Sequence, residues 1–260
     1  LALEKGSING SVDVIPLSNC RLFRIVLDKT VAIHAERRPG NIFFSVDLSS
    51  ESSAESICAQ GVSLSRKALF GFNSNLKDLD LILPSSTRMC TIAVPADVLE
   101  CRLTGLRFSG ALNFIDRFNV LANNSITASD GVISLLSECW NSPQGISPLS
   151  FEDQIFSSLA DCLIDKVNRK AAPPLVRKDR HAAALGILSV VNSAPFKYFE
   201  IQDLANLLHQ SRTSLYGACK EKFGMSPVQV VRSVRLRQVN HALLDTEFCL
   251  KNNLFSVSDV

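Results

Sequence analysis

From Ser211 to Pro227 the chain reads SRTSLYGACKEKFGMSP, and the residue types in this stretch suit recognition of a polyanion. At about 100° per residue, Thr213, Gly217 and Lys220 share one side of a helix, with Arg212 at its start, Ser214 beside Thr213 and Tyr216 on the flank. Hydroxyl and phenol groups can exchange hydrogen bonds with base edges, while a guanidinium or an ammonium suits phosphate or guanine. The opposite side carries Leu215, Ala218, Cys219 and Phe223, the i, i+3, i+4, i+8 pattern of a packed face. A helix meant only for solvent would collect Glu and Lys on its outer side. This one is small, polar and weakly cationic there.

Other chemistry finds less support in the sequence. The histidines His34, His181, His209 and His241 are scattered, and no GxSxG, HExxH, P-loop or GxGxxG motif occurs. His209 falls between two predicted helices and reads as a cap or surface residue. The cysteines Cys20, Cys58, Cys90, Cys101, Cys139, Cys162, Cys219 and Cys249 stand singly, with no CxxC pair and no histidine at ligand spacing, which predicts small buried hydrophobes rather than a metal site or a disulfide framework. The expectation is a protein that binds rather than catalyses, with no metal and no cofactor.

The helix must be positioned by elements around it. At 260 residues, 46% of them hydrophobic and 20% charged, the chain can bury two cores. No apolar run reaches membrane-spanning length and the first residues are too polar for a secretory signal, so a cytoplasmic protein is expected. The net charge of +2 hides an asymmetry. Residues 1–174 hold 16 Lys and Arg against 18 Asp and Glu, whereas residues 175–260 hold 11 against 7. Arg212, Lys220, Lys222, Arg232, Arg235 and Arg237 face only Glu221 in the span 212–240. Such a bias favours a polyanionic partner for the C-terminal part.

Residues 1–104 read as short strands, NIFFSVDL, KALFGFN, LDLILP and CTIAVP, broken by RRPG, SSESSAES and PSSTR; this spacing suggests a small barrel or sandwich. Phe43, Phe44, Phe70 and Phe72 sit at strand-like positions, either filling that core or lining a pocket. Over 105–170 the period becomes helical, in SDGVISLLSECW and in SFEDQIFSSLADCLIDKVNRK, where Phe156, Leu159, Leu163 and Val167 share a face and Ser150 before Asp153 predicts an N-cap. This segment is expected to pair with a second copy of the chain. Pro173 and Pro174 then break the pattern, placing a linker at 171–180.

Beyond the linker, HAAALGILSVVN predicts one helix and EIQDLANLLH another, with Ile201, Leu204, Ala205 and Leu208 on one face. Ser211 is the predicted N-cap of the next, Gly224 its stop, and Pro227 the start of a longer helix. Two short amphipathic helices so tightly joined predict a helix-turn-helix, whose second helix fits a DNA major groove.

The order of residues resembles the AraC/XylS family of transcription regulators from roughly Arg180 onward. IQDLANLLHQSRTSL is similar to the family's first helix-turn-helix, and KEKFGMSPVQVVRSVRLRQVNHALL to its linker helix, with Gly224, Ser226, Pro227, Arg235 and Leu236 in register. LFGFNSNLKDLDLILPSSTRMCTIAVPADVLE is weakly similar to regulators of the ethanolamine-operon type. The resemblance implies an α+β protein: a strand-rich, cupin-like sensor domain over 1–104, a helical dimerisation segment over 105–170, and an all-α helix-turn-helix domain over 181–260. It also implies double-stranded DNA, a small-molecule effector and a second copy of the chain as partners. Arg212, Thr213, Ser214, Tyr216, Gly217 and Lys220 would be the DNA-reading residues. Cys219 replaces a Phe usual in the family, Val230 an aromatic, and Gly217 a basic or polar residue. FSVSDV at the end is similar to the first turn of a second helix-turn-helix, so the expectation is a domain carrying one of two such units. The alternative is a truncated ligand-binding or dimerisation module that no longer binds DNA effectively.

Overall fold

In the strands, side chains alternate between faces, and here both faces are apolar. The computed structural model describes residues 1–251 apart from residues 5, 38, 50–54, 66–67, 124–127, 142–147, 165–168, 173–178 and 195–196. It divides into two compact units, Glu4–Val176, and Arg177–Val260 with Leu1–Leu3. Among the described residues no helix is long and apolar enough to cross a membrane.

The first unit runs β1 (Gly10–Pro16), β2 (Arg21–Leu27), β3 (Val31–Glu36), β4 (Asn41–Asp47), β5 (Cys58–Ala59), β6 (Val62–Ser63), β7 (Leu69–Phe70), β8 (Asp78–Leu83) and β9 (Thr87–Pro95). Then follow α1 (Ala96–Gly105), α2 (Ser109–Arg117), β10 (Val120–Asn123), α3 (Ala128–Asn141), α4 (Pro148–Ile164) and β11 (Arg169–Ala172). The strands form an antiparallel sheet of order β1-β2-β9-β4-β7-β10-β11 and a second of order β3-β8-β5-β6. On the larger sheet Leu22, Phe44 and Ile92 lie in register across three strands and are 0% exposed. They pack with Leu103, Leu136, Ile155 and Leu159 of the helices. On the other side Met89 of β9 and Phe70 of β7 pack with Leu81 and Leu83 of β8 and with Ile57, which precedes β5.

Several elements differ from the sequence expectation. β1, β2 and β3 add strands to the four that the sequence predicts within the first hundred residues. Helix begins at Ala96, inside the span expected to be strand, and β10 and β11 lie beyond it, closing the sheet edge next to β7. The four predicted phenylalanines divide. Phe44 and Phe72 stack at 5.9 Å in the helix-side core, while Phe43 and Phe70 line a cavity between the sheets. Ser150 does not cap α4, which starts at Pro148 and places Ser150 within its first turn. Instead Glu152, only 1% exposed, accepts from the Asn19 backbone N–H at 2.9 Å and lies 3.7 Å from the Arg102 guanidinium, so α4 is tied to the β1–β2 turn through a buried acceptor. Val167 lies outside the described residues. The expected linker 171–180 overlaps β11 at one end and α5 at the other, its middle lying outside the described residues.

The second unit carries the helices α5 (Asp179–Ser193), α6 (Ile201–Leu207), α7 (Arg212–Phe223), α8 (Pro227–Leu244) and α9 (Thr246–Lys251). α5 packs against both α7 and α8. Gly186 allows its approach to the end of α6: a Cβ there would stand 2.7 Å from a Leu208 methyl. Cys219 and Val230, two of the three substitutions noted against the AraC/XylS pattern that the sequence resembles, are both 0% exposed. Burial pushes the Cys219 thiol up to about 12, as it does Cys20 and Cys90, so all three behave as neutral core groups. FSVSDV lies outside the described residues.

Candidate nucleic-acid interface

Local signals set the ends of the two short helices. α6 opens where the Glu200 backbone N–H donates to the Asp203 carboxylate at 2.9 Å. The turn that follows passes through His209 at φ 50°, a left-handed conformation that histidine tolerates better than most side chains, which gives this residue a backbone role. At α7 the Ser211 hydroxyl accepts the Ser214 N–H at 3.0 Å, as the sequence predicts. Gly224, at φ 66°, ends the helix by donating its N–H to the Lys220 carbonyl at 3.0 Å. α8 then opens on a reciprocal cap. The Ser226 N–H donates to Gln229 Oε1 at 2.8 Å, and the Gln229 N–H to Ser226 Oγ at 3.3 Å. This Ser-x-x-Gln pair is a capping signal that the sequence itself carries, beside the proline that predicts the start of the helix.

α7 carries the two faces the periodicity requires. Leu215, Ala218, Cys219 and Phe223 are buried. Arg212, Thr213, Tyr216, Gly217 and Lys220 are exposed, Tyr216 at 39%. Ser214 is placed differently: half-buried, it spends its hydroxyl on Gln210 Oε1 at 2.8 Å and so braces the turn. Lys220 donates from Nζ to the Gly224 carbonyl at 3.2 Å, a contact an exposed lysine can exchange for another acceptor. Nothing lies within 4 Å of a Cβ built at Gly217. Gly217→Ala is therefore expected to stabilise the C-terminal unit by about 0.5–1 kcal/mol through helix propensity, checked by chemical denaturation; a loss of stability would show that the site is not open.

The basic character counted along the sequence is only partly available to a partner. Lys222 is 7% exposed on the core side. Arg235, half-buried, donates to the Lys197 carbonyl in the connection between α5 and α6 and to Gln238 Oε1 of α8, while Arg237, itself exposed, donates to Asn192 Oδ1 of α5 at 3.2 Å. Arg212, Lys220, Arg232 and Arg237 are exposed. Among the described residues no group of His, Cys, Asp and Glu could hold a metal ion.

No protein-family model matches the chain and no curated protein is similar to it. Among solved structures it is similar to the AraC-like transcriptional activator CuxR, at 14% identity and a TM-score of 0.43 over 90% of this chain and 82% of that one. It is also similar to ToxT from Vibrio cholerae, at 12% identity and a TM-score of 0.33 over 97% and 91%. ToxT bound to an unsaturated fatty acid matches at 12% identity and a TM-score of 0.34 over 93% and 88%. Such scores are too low to carry site residues from those proteins to this one.

Proposed function

We propose that the chain is a transcription regulator of the AraC type, which reads double-stranded DNA with the outer face of α7 and responds to a small-molecule effector in its N-terminal unit. One observation carries the reading: Arg212, Thr213, Tyr216, Gly217 and Lys220 are exposed together on a helix whose other side is buried. Twelve residues give a cylinder about 18 Å long, and a helix with its side chains matches a major groove about 12 Å wide. Thr213 and Tyr216 face the base edges, Arg212 contacts phosphate or guanine at the helix start, and Lys220 contacts phosphate. The protein acts by equilibrium binding, as a homodimer, with the effector changing how the DNA-reading units are presented.

Selection from a random-sequence DNA pool tests the assignment. Thr213→Ala and Tyr216→Ala are expected to change the preferred sequence, and Lys220→Ala to weaken binding across all sequences and make the salt dependence shallower. Equal losses on every sequence for all three variants would overturn the groove-facing assignment.

The commitment of Arg235 and Lys222 to protein contacts supports a second reading, a ligand-binding or dimerisation module with little DNA affinity of its own. Exposed Arg212, Lys220, Arg232 and Arg237 imply a slope of log affinity against log salt of about −4 for one chain, shallow for a specific regulator. Absence of DNA binding at low salt by the dimer would favour this second reading.

A further inference from the structure

β1 is the outer strand of the larger sheet, and among the described residues it pairs only with β2. Beyond its two ends the Asp28 N–H donates to the Asn9 carbonyl and the Leu17 N–H to the Cys20 carbonyl, both at 3.0 Å. The register between Asn9 and Leu17 has no bulge, so every second residue from Asn9 to Leu17 directs its backbone groups toward β2. Gly10, Val12 and Val14, the residues between, aim N–H and C=O outward, and Pro16, which has no N–H to offer, closes the row.

The side chains at these positions are apolar and uncovered. Val12 is 62% exposed and Val14 51%. They stand across from Ile25 and Phe23 of β2, both half-buried, so an apolar strip runs off the edge of the sheet. Edge strands are commonly blunted by lysine, an interior proline or a bulge, and β1 has none of these within it. Its one charged residue, Asp13, points to the other face with Ser11 and lies 3.2 Å from the Arg24 guanidinium.

We propose that β1 is a docking edge for a second copy of the chain, the two strands pairing antiparallel about a two-fold axis through Val12. The run GSVDV, residues 10–14, is self-complementary in that register. Val12 meets Val12 of the second copy, and Gly10 meets Val14 in both directions, each pair exchanging N–H···O=C bonds between groups that otherwise face water. Gly10 has no side chain to crowd the second copy's Val14, and a Cβ there would already stand 2.6 Å from the Val26 carbonyl. Ser11 meets Asp13 of the second copy, where its hydroxyl can donate to the carboxylate. An axis through Asp13 would instead set two carboxylates opposite each other and bring Pro16 opposite Gly10, losing a donor. An unrelated extended peptide would satisfy the backbone donors without the Ser11–Asp13 and Gly10–Val14 matches. One strand pair buries less than a standard protein interface, so a dissociation constant in the micromolar range is expected. The proposal gives the homodimer of the proposed function an interface and rests on that reading for its consequence; the pairing itself requires only the N-terminal unit.

Sedimentation equilibrium of the full chain without DNA, from low to high micromolar concentration, tests this. The unmodified protein is expected to associate to a dimer. Val12→Pro removes an outward N–H while leaving the β1–β2 hydrogen bonds in place, and Val12→Lys sets two ammonium groups at the axis; each is expected to weaken the dimer at least about tenfold. Val12→Asp alone is expected to do the same, and an equimolar mixture of the Val12→Lys and Val12→Asp proteins to recover association as a mixed dimer, because this register brings the two opposite charges together. A protein that stays monomeric throughout would overturn both this proposal and the homodimer. A dimer that survives Val12→Pro and Val12→Lys unchanged would overturn the edge pairing alone, as would a mixture of the two charge variants that fails to associate. DNA affinity, measured separately on the same preparation, decides the DNA-reading assignment independently of these outcomes.

Discussion

Leu215→Asp is expected to unfold the C-terminal unit, while Tyr216→Asp, one position along, leaves it folded and removes DNA binding. Leu215 is 0% exposed, on the face of α7 directed into the helical core. Exchanging it for a carboxylate forfeits roughly 2–3 kcal/mol of apolar burial and adds several more for an unpaired buried charge. That sum is comparable to the whole stability of a small domain. Tyr216 is 39% exposed, and a carboxylate there meets water. Its effect on stability is expected to stay within about 1 kcal/mol, while repulsion of phosphate weakens DNA binding by tenfold or more. Helical circular dichroism through a thermal melt, alongside a gel-shift titration, separates the outcomes. A folded Leu215→Asp protein, or an unfolded Tyr216→Asp protein, would reverse the assignment of the two faces.

Phe72→Ala is expected to cost the N-terminal unit about 3–5 kcal/mol. The ring is 0% exposed and sits between Phe44 at 5.9 Å and Phe114 at 6.1 Å, with Phe114 continuing to Phe118 at 4.7 Å. This file of rings joins the centre of the larger sheet to α2, so truncation leaves a void that β4 and α2 cannot both close. Urea unfolding followed at a probe within the first unit measures the loss; a change below about 1.5 kcal/mol would mean that the core collapses around the gap. Phe43→Ala offers a contrast, since that ring lines the cavity and its removal enlarges a space already open.

Much of the candidate interface was legible because its determinants are local. Ser211, Gly224 and Pro227 act on backbone groups within a turn of themselves, and each stands where the sequence predicts it. The buried and exposed sides of α7 follow from a single helical period. Reading failed where the deciding partner is distant. Ser150 has the composition of a cap, but α4 already begins at Pro148. Glu152 looks like an ordinary helix-surface glutamate until Asn19, 133 residues away, brings its N–H to the carboxylate. Leu236, Leu243 and Leu244 suggest interior positions by type, yet all three are exposed on α8.

Sequence alone therefore determined where the short helices start and stop, which side of α7 packs, and that the early part of the chain would be strand-rich. Each depends on hydrogen bonds or side-chain periods spanning only a few residues. Tertiary structure decided which cations remain available, since Arg235 is engaged by a carbonyl 38 positions away and Lys222 is buried. It also decided that Phe43 and Phe70 border a cavity while Phe44 and Phe72 fill a core. Solvent access and charge pairing depend on all the elements around a residue, and chain order does not contain those distances until the sheets have closed.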